Sequence, residues 1–414
     1  MKRNISYFAI PILIIVVAGI FFRDIHSVDK QCLESFDEFA YTPPNKNGDP
    51  KLKADTLPQE PWHIEAALPN ISEVPYISFS VEAIRSTDAH NEIWIRRYSE
   101  DGSFHNAHTT YYQFLIYQVE TKDWEIASAQ VEGSDIFVEK IFITDDGSVW
   151  GQNVWGRSSD EFKPPILSKY NDVSGKFELV ESTKNIPAFW RDSDSRTNDI
   201  LFWNKIFLDS AGVFWIVTQR DSIYSYNPAT QKTEKHADIS TIHIKNAALS
   251  PDGSIYISGK PDDSYISNRY HVIGQEKILH YVPQTDELKV IENPNENWPS
   301  YRNLYIDRNN RLWLGSVGWF SPQNGWELIF PNRFLYLLRI EFGDNYGWVE
   351  PEILLESSDG RMWYRVKGRG MAWLDSSVME GCWFTTYTSK IIEDANKTLW
   401  FVADGKLYKY DLLP

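Results

Sequence analysis

Cysteine is close to absent from this chain: Cys32 and Cys382 are the only two in 414 residues. One pair cannot make a disulfide framework, and no Cys or His spacing fits a zinc site. The two are either a bridge pinning an N-terminal segment to the sixth repeat or two separate thiols, because spacing alone does not set their distance. Positive charge is also short. Lys and Arg total 41 against 57 Asp and Glu, a formal net charge of −16, which argues against a basic surface for nucleic acid or anionic lipid. Catalytic signatures are missing as well: there is no Gly-x-Ser-x-Gly elbow, no phosphate loop and no His-Glu-x-x-His. His105 and His108 lie three apart in a loop, but no carboxylate nearby completes a metal set, so they are read as solvated. The Asp-Gly turns lack the alternating acids and late Glu of a calcium loop. No metal and no cofactor are expected.

Long apolar runs are scarce too, with one exception. Lys2 and Arg3 precede a run from Ile5 to Phe22, just long enough to span hydrocarbon. The cations would stay cytoplasmic and place the C-terminal bulk of the chain outside the cell membrane. Residues 1–22 are therefore read as a signal-anchor helix, single-pass, or a signal peptide that leaves a secreted chain if cleaved. Residues 23–60, with Pro43, Pro44 and Gly48, form a polar tether. The tripeptides at Asn70 and Asn396 fit the glycosylation pattern, which matters only in a host that glycosylates.

What the chain has in abundance is a repeat. An aromatic residue returns seven times, three positions after a turn residue: Asn91/Trp94, Gly147/Trp150, Gly212/Trp215, Gly253/Tyr256, Asn310/Trp313, Gly360/Trp363 and Lys397/Trp400. Four copies place Asp three residues ahead of the turn, at Asp88, Asp209, Asp307 and Asp394, where the carboxylate can hold the turn's own backbone. Gly or Asn then supplies positive φ. Apolar pairs at period two precede four of the turns, for example Ile206 and Leu208, and β-branched or aromatic runs come after them. Third and fourth strands complete most units, such as 223–228 and 288–291. Four short antiparallel strands per unit, repeated seven times, predict an all-β, seven-bladed β-propeller over residues 61–414. The unit spacing runs from roughly forty to sixty-five residues, so loops vary while cores recur. The last unit is one strand short, and the segment 62–66 is expected to complete it and close the ring.

The site is expected where loops gather at one end of the channel. Positions entering the first strands include Glu139, Asn204, Asn246, Asn303 and Glu352. Loops after the second strands carry Arg96, Arg97, Gln152, Trp155, Gln219, Arg220, Trp319 and Arg365. From these the candidate ligand-binding set is Arg97, Trp155, Arg220, Asn246, Asn303, Trp319, Glu352 and Arg365. Trp, Arg and Asn together can stack on and hydrogen-bond a sugar-like or peptide ligand.

The stretches 304–316 and 391–400 (Leu-Tyr-Ile-Asp-Arg-Asn-Asn-Arg-Leu-Trp-Leu-Gly-Ser and Ile-Ile-Glu-Asp-Ala-Asn-Lys-Thr-Leu-Trp) resemble the two-component regulator propeller repeat, Ile-x-Glu-Asp-x-x-Gly-x-Leu-Trp-Ile-Gly-Thr. Other units lose the trailing Gly-Thr, as at Trp215-Ile216-Val217-Thr218. The resemblance implies an extracytoplasmic sensing propeller, often for oligosaccharides, here with no kinase portion after it. A similar fold occurs in streptogramin lyase-like proteins, but no histidine pattern carries over. The expected role is a non-catalytic, membrane-anchored binding module for a small molecule, oligosaccharide, peptide or protein partner. The alternatives are an exported lyase or hydrolase, with Glu352 beside Lys390 or Arg365, and an assembly scaffold.

Overall fold

The structure, a computed structural model, describes residues 63–69, 77–99, 113–132, 134, 136–155, 165–186, 205–218, 221–240, 242–261, 277–291, 304–314, 318–328, 352–366, 370–375, 380–384 and 388–412. The apolar run 1–22, the tether 23–60, Cys32, Asn70, His105 and His108 lie outside the described residues, as does the side chain of Cys382.

Each repeat folds as an antiparallel sheet of four strands. The chain opens on β1 (His63–Ala67). Blade 1 holds β2 (Ile77–Ser86), β3 (Asn91–Ser99), β4 (Gln113–Gln118) and β5 (Trp124–Ser128); blade 2 holds β6 (Ile136–Ile143), β7 (Val149–Trp155), β8 (Leu167–Asn171) and β9 (Lys176–Leu179). Blade 3 runs β10 (Lys205–Leu208), β11 (Phe214–Val217), β12 (Ser222–Asn227) and β13 (Lys232–Asp238), and blade 4 runs β14 (Ile242–Leu249), β15 (Ile255–Pro261), β16 (Lys277–Val282) and β17 (Glu287–Ile291). Blade 5 contains β18 (Leu304–Ile306), β19 (Leu312–Leu314), β20 (Gly318–Ser321) and β21 (Gly325–Leu328). Blade 6 contains β22 (Glu352–Glu356), β23 (Arg361–Val366), β24 (Gly370–Asp375) and β25 (Glu380–Phe384). The last sheet is β26 (Ile391–Glu393), β27 (Thr398–Ala403) and β28 (Lys406–Asp411), with β1 as its outermost strand. This is a seven-bladed β-propeller. First strands meet around the centre, where β26 touches β2 and β2 touches β6.

The turn chemistry explains the repeat. Gly147, Gly212, Gly253, Asn310, Gly360 and Lys397 all have positive φ, from 58° to 87°. In three blades the leading Asp then does two jobs. Asp307 Oδ1 accepts the backbone N–H of Asn309 and of Arg311, both at 2.9 Å, while its Oδ2 accepts the Trp313 indole N–H at 2.8 Å. Asp209 with Trp215 and Asp394 with Trp400 repeat this arrangement, with indole distances of 2.8 and 2.9 Å. The six-residue spacing is thus a buried indole tethered to the carboxylate that shapes its own turn.

Blade 1 departs from the expectation for Asp88 and Asn91. Asp88 is exposed, Thr87 Oγ1 accepts the His90 N–H at 3.1 Å, and the Trp94 indole goes to Glu92 at 3.0 Å. Asn91 is simply the first residue of β3. In blade 2 position 144 is Thr, whose short side chain bonds Asp146 and the Ser148 carbonyl, so the buried Trp150 indole N–H has no partner.

Between blades the cores are apolar. One cluster joins Trp94 and Phe114 of blade 1 to Val138, Val149 and Phe177 of blade 2; another joins Trp150 to Phe214 and Tyr226 of blade 3. The seam between blades 7 and 1 packs Trp400, Val402 and Leu407 against Val81, Ile93, Leu115 and Tyr117.

Candidate functional site

Alternation along a strand sends every second side chain to one face. In β2, Val81 enters the apolar seam with blade 7 and Ala83 the seam with blade 2, while Ser80 and Glu82 line the channel. In β6 a bulge between Val138 and Lys140 inserts Glu139, so that Glu139 and Lys140 both reach the channel although they are consecutive. A bulge at Glu82 sits in β2 as well. With Arg96 of β3, Gln152 of β7, Lys205 and Phe207 of β10, and Lys390 just before β26, they enclose a cavity of about 350 Å³ between blades 7, 1, 2 and 3.

The cavity is a charge network. Arg96 Nε lies 3.1 Å from Glu82 Oε1, and its Nη1 donates to the Glu139 carbonyl at 2.8 Å with the Glu139 carboxylate 3.6 Å away. Lys390 Nζ donates to the Glu82 carbonyl at 2.8 Å and sits 3.4 Å from its carboxylate. Lys140 Nζ donates to the Ile206 carbonyl at 3.3 Å and hangs over the rings of Phe142 and Phe207, at 4.8 and 5.7 Å. Burial, with repulsion from Lys390 and Lys205, pushes the Lys140 ammonium down to about 8, against the pull of Glu82 and Glu139. Burial likewise lowers Lys205, opposed by Glu139, and raises the Glu139 carboxyl, opposed by Arg96. The Glu139 side chain is 28 % accessible along the channel, so water tempers the desolvation that raises its carboxyl.

The eight sequence candidates separate. Glu352 and Arg365 pair across β22 and β23 as an ion pair, and Arg365 Nη1 donates to the Ser389 carbonyl at 3.4 Å, at the edge of the same cavity. Asn246 is in β14, its Oδ1 accepting the Ala247 N–H at 2.9 Å, away from the cavity lining. Arg97 points away from the channel. It is buried inside blade 1 and donates to Gln113 Oε1 at 3.1 Å, because alternation turns Arg96, not Arg97, to the channel. Trp319 is already in β20, not in a loop, and its ring packs 5.0 Å from that of Trp313 beneath the Arg311 guanidinium. Trp155 ends β7 with its side chain outside the described residues; Arg220 and Asn303 lie outside them altogether. Sequence reasoning missed Glu82, Lys140 and Lys205. The available signal was a charge inside an otherwise apolar first strand, as in Val81-Glu82-Ala83 or Val138-Glu139-Lys140-Ile141.

Fold and site together define a closed propeller with a small, charged central cavity. No family model matches the chain, and no curated protein matches it. Among solved structures it is similar to YCF48 bound to D1 peptide, at 14 % identity and a TM-score of 0.53, over 86 % of this chain and 97 % of that one. It also aligns with YCF48 from Cyanidioschyzon merolae at 13 % identity, TM-score 0.48, over 83 % and 99 % of the two chains. The extracellular domain of a putative hybrid two component system from B. thetaiotaomicron aligns at 14 % identity, TM-score 0.45, over 81 % of this chain. The chain spans 40 % of that domain's length. Identities this low speak to fold.

Proposed function

We propose that the chain is a binding module, a membrane-anchored propeller outside the cytoplasm whose channel takes a small polar ligand or a short peptide segment without transforming it. One observation carries this reading: six charged side chains from four different blades converge on one concave cavity, where hydrogen bonds and ion pairs are strengthened by partial burial. The orientation rests on the cationic start and the apolar run 5–22. A peptide ligand is supported by the shared fold with YCF48, which binds a D1 peptide. An oligosaccharide is supported by the repeat resemblance.

A specific observation favours a second reading, an exported lyase or hydrolase. Glu139 and Lys140 are adjacent and their proton affinities are displaced toward each other, the arrangement an acid–base pair needs. A thermal-shift screen of the full-length chain against oligosaccharides, short peptides and small organic acids separates the two. The binding reading expects a saturable rise in melting temperature with one class and no product after prolonged incubation. Product formation from the stabilising compound would favour the enzyme, and a flat response to all three classes would contradict both.

A further inference from the structure

The channel cavity holds more positive charge than its own carboxylates neutralise. Arg96, Lys140, Lys205 and Lys390 face Glu82 and Glu139, four cations to two anions. Both carboxylates are already engaged: Glu82 by Arg96 and Lys390, Glu139 by Arg96. Lys140 is left with a backbone carbonyl and two ring faces, and Lys205 has no carboxylate within ion-pair distance among the described residues. Two largely buried ammonium groups with no carboxylate in direct contact are costly, even with Glu82 and Glu139 acting on Lys140, and Glu139 on Lys205, from further off. In a chain of net charge −16 this surplus is local, not part of a generally basic surface.

We propose that this cavity binds a small dianion, its two negative charges set against Lys140 and Lys205 while Arg96, clamped between Glu82 and Glu139, serves as fixed frame. The proposal rests on the channel being a binding site and adds the class of ligand. A dianion brings the group to neutrality, whereas a monoanion leaves one ammonium uncompensated. The volume, about 350 Å³, is at the small end of ligand sites, which suits a compact acid and not a long chain. The two charges can sit on one phosphate or on two carboxylates; the cation surplus is common to both. Lys140, faced by Lys390, Lys205, Glu82 and Glu139, is held near 8 by burial and its like-charged neighbours, so the ammonium that meets the anion is lost, and binding weakens, as pH rises past that value.

The test is calorimetric titration of the full-length chain at pH 7 with succinate, inorganic phosphate, acetate and uncharged butane-1,4-diol. The expected result is saturable one-to-one binding of succinate or phosphate, with acetate weaker by about tenfold or more and the diol inert. Whichever dianion binds tighter shows whether one group or two carry the charge. Lys140→Met and Lys205→Met should each weaken binding about tenfold, Lys205→Arg should hold within a few-fold, and pH 9.5 should weaken it about tenfold. Near-ultraviolet circular dichroism confirms that each variant is folded. Dianions binding no better than acetate, or equally well to the Lys140→Met/Lys205→Met double variant, would overturn the proposal. If a neutral sugar or uncharged peptide binds instead and Phe207→Ala or Ser80→Trp abolishes it, the dianion fails while the channel reading stands. If those variants change nothing, the channel reading falls as well.

Discussion

A chain lacking residues 63–67 loses stability on the order of 4 kcal/mol and becomes protease-sensitive in blades 7 and 1 together. That loss counts the ladder alone. Strand β1 pairs with β28 through His63, Ile64, Ala66 and Ala67, opposite Lys409, Tyr408, Leu407 and Lys406, and each ladder bond is worth about 1 kcal/mol. Removing them uncovers the outer edge of β28, which β1 otherwise pairs. The bulged residue between Ile64 and Ala66 is Glu65, which accepts from Lys409 Nζ at 2.8 Å and from Tyr117 of blade 1 at 3.1 Å, with Lys122 3.5 Å away. Burial opposes ionisation of Glu65, but Lys409, Tyr117 and Lys122 outweigh it and hold its carboxyl below the usual value. A depressed carboxyl contributes stability above its unfolded-state value and loses it as pH falls through the folded one, so the seam weakens in acid first. Limited proteolysis and thermal melts against Ile64→Ser, exposed at 56 %, provide the control, which should stay within about 0.5 kcal/mol of wild type. Unchanged proteolytic resistance in the deletion would mean that the ring is not held shut by this strand.

Trp313→Ala should cost about 3–5 kcal/mol, the loss typical of a buried tryptophan cut to its Cβ. Trp313 is 1 % exposed and packs against Trp319 and the Arg311 guanidinium. Trp313→Phe separates the two contributions. It keeps an aromatic ring but drops the indole N–H, and Asp307 Oδ2 retains Arg311 as a donor, so the loss should be nearer 1 kcal/mol. Chemical denaturation of both variants is the check. Equal losses would show that the hydrogen bond, not the ring, holds blade 5 together, and no loss would remove the residue from the core.

The architecture was legible because turn and core chemistry repeat locally. Asp, turn residue and Trp lie within seven positions, and the strand pairs they join are hairpin neighbours, so blade identity needs no long-range information. Closure was legible too: a unit short of one strand and a strand-like segment before the first unit predicted the pairing of β1 with β28, shifted by one residue. The channel was harder. Which side chains face it depends on bulges such as the one at Glu139, and a bulge cancels the alternation from which facing is read. Rim loops attracted Arg97 and Trp319, but the first is turned inward by alternation and the second belongs to a strand. Glu352 and Arg365 are register partners on adjacent strands joined by an ion pair, a pairing that the hairpin brings about locally.

Four blades hold a surplus of positive charge inside the channel, and Lys140 reports it most directly. Its titration, followed by NMR of the lysine side chains and assigned by the loss of its signal in Lys140→Arg, should show a pKa near 8. Glu82→Gln should move it lower still, since Glu82 supports the charged form. A midpoint near 10.4, the ordinary lysine value, with no response to Glu82→Gln would mean that bulk water fills the channel and that no enclosed cation cluster exists to bind anything.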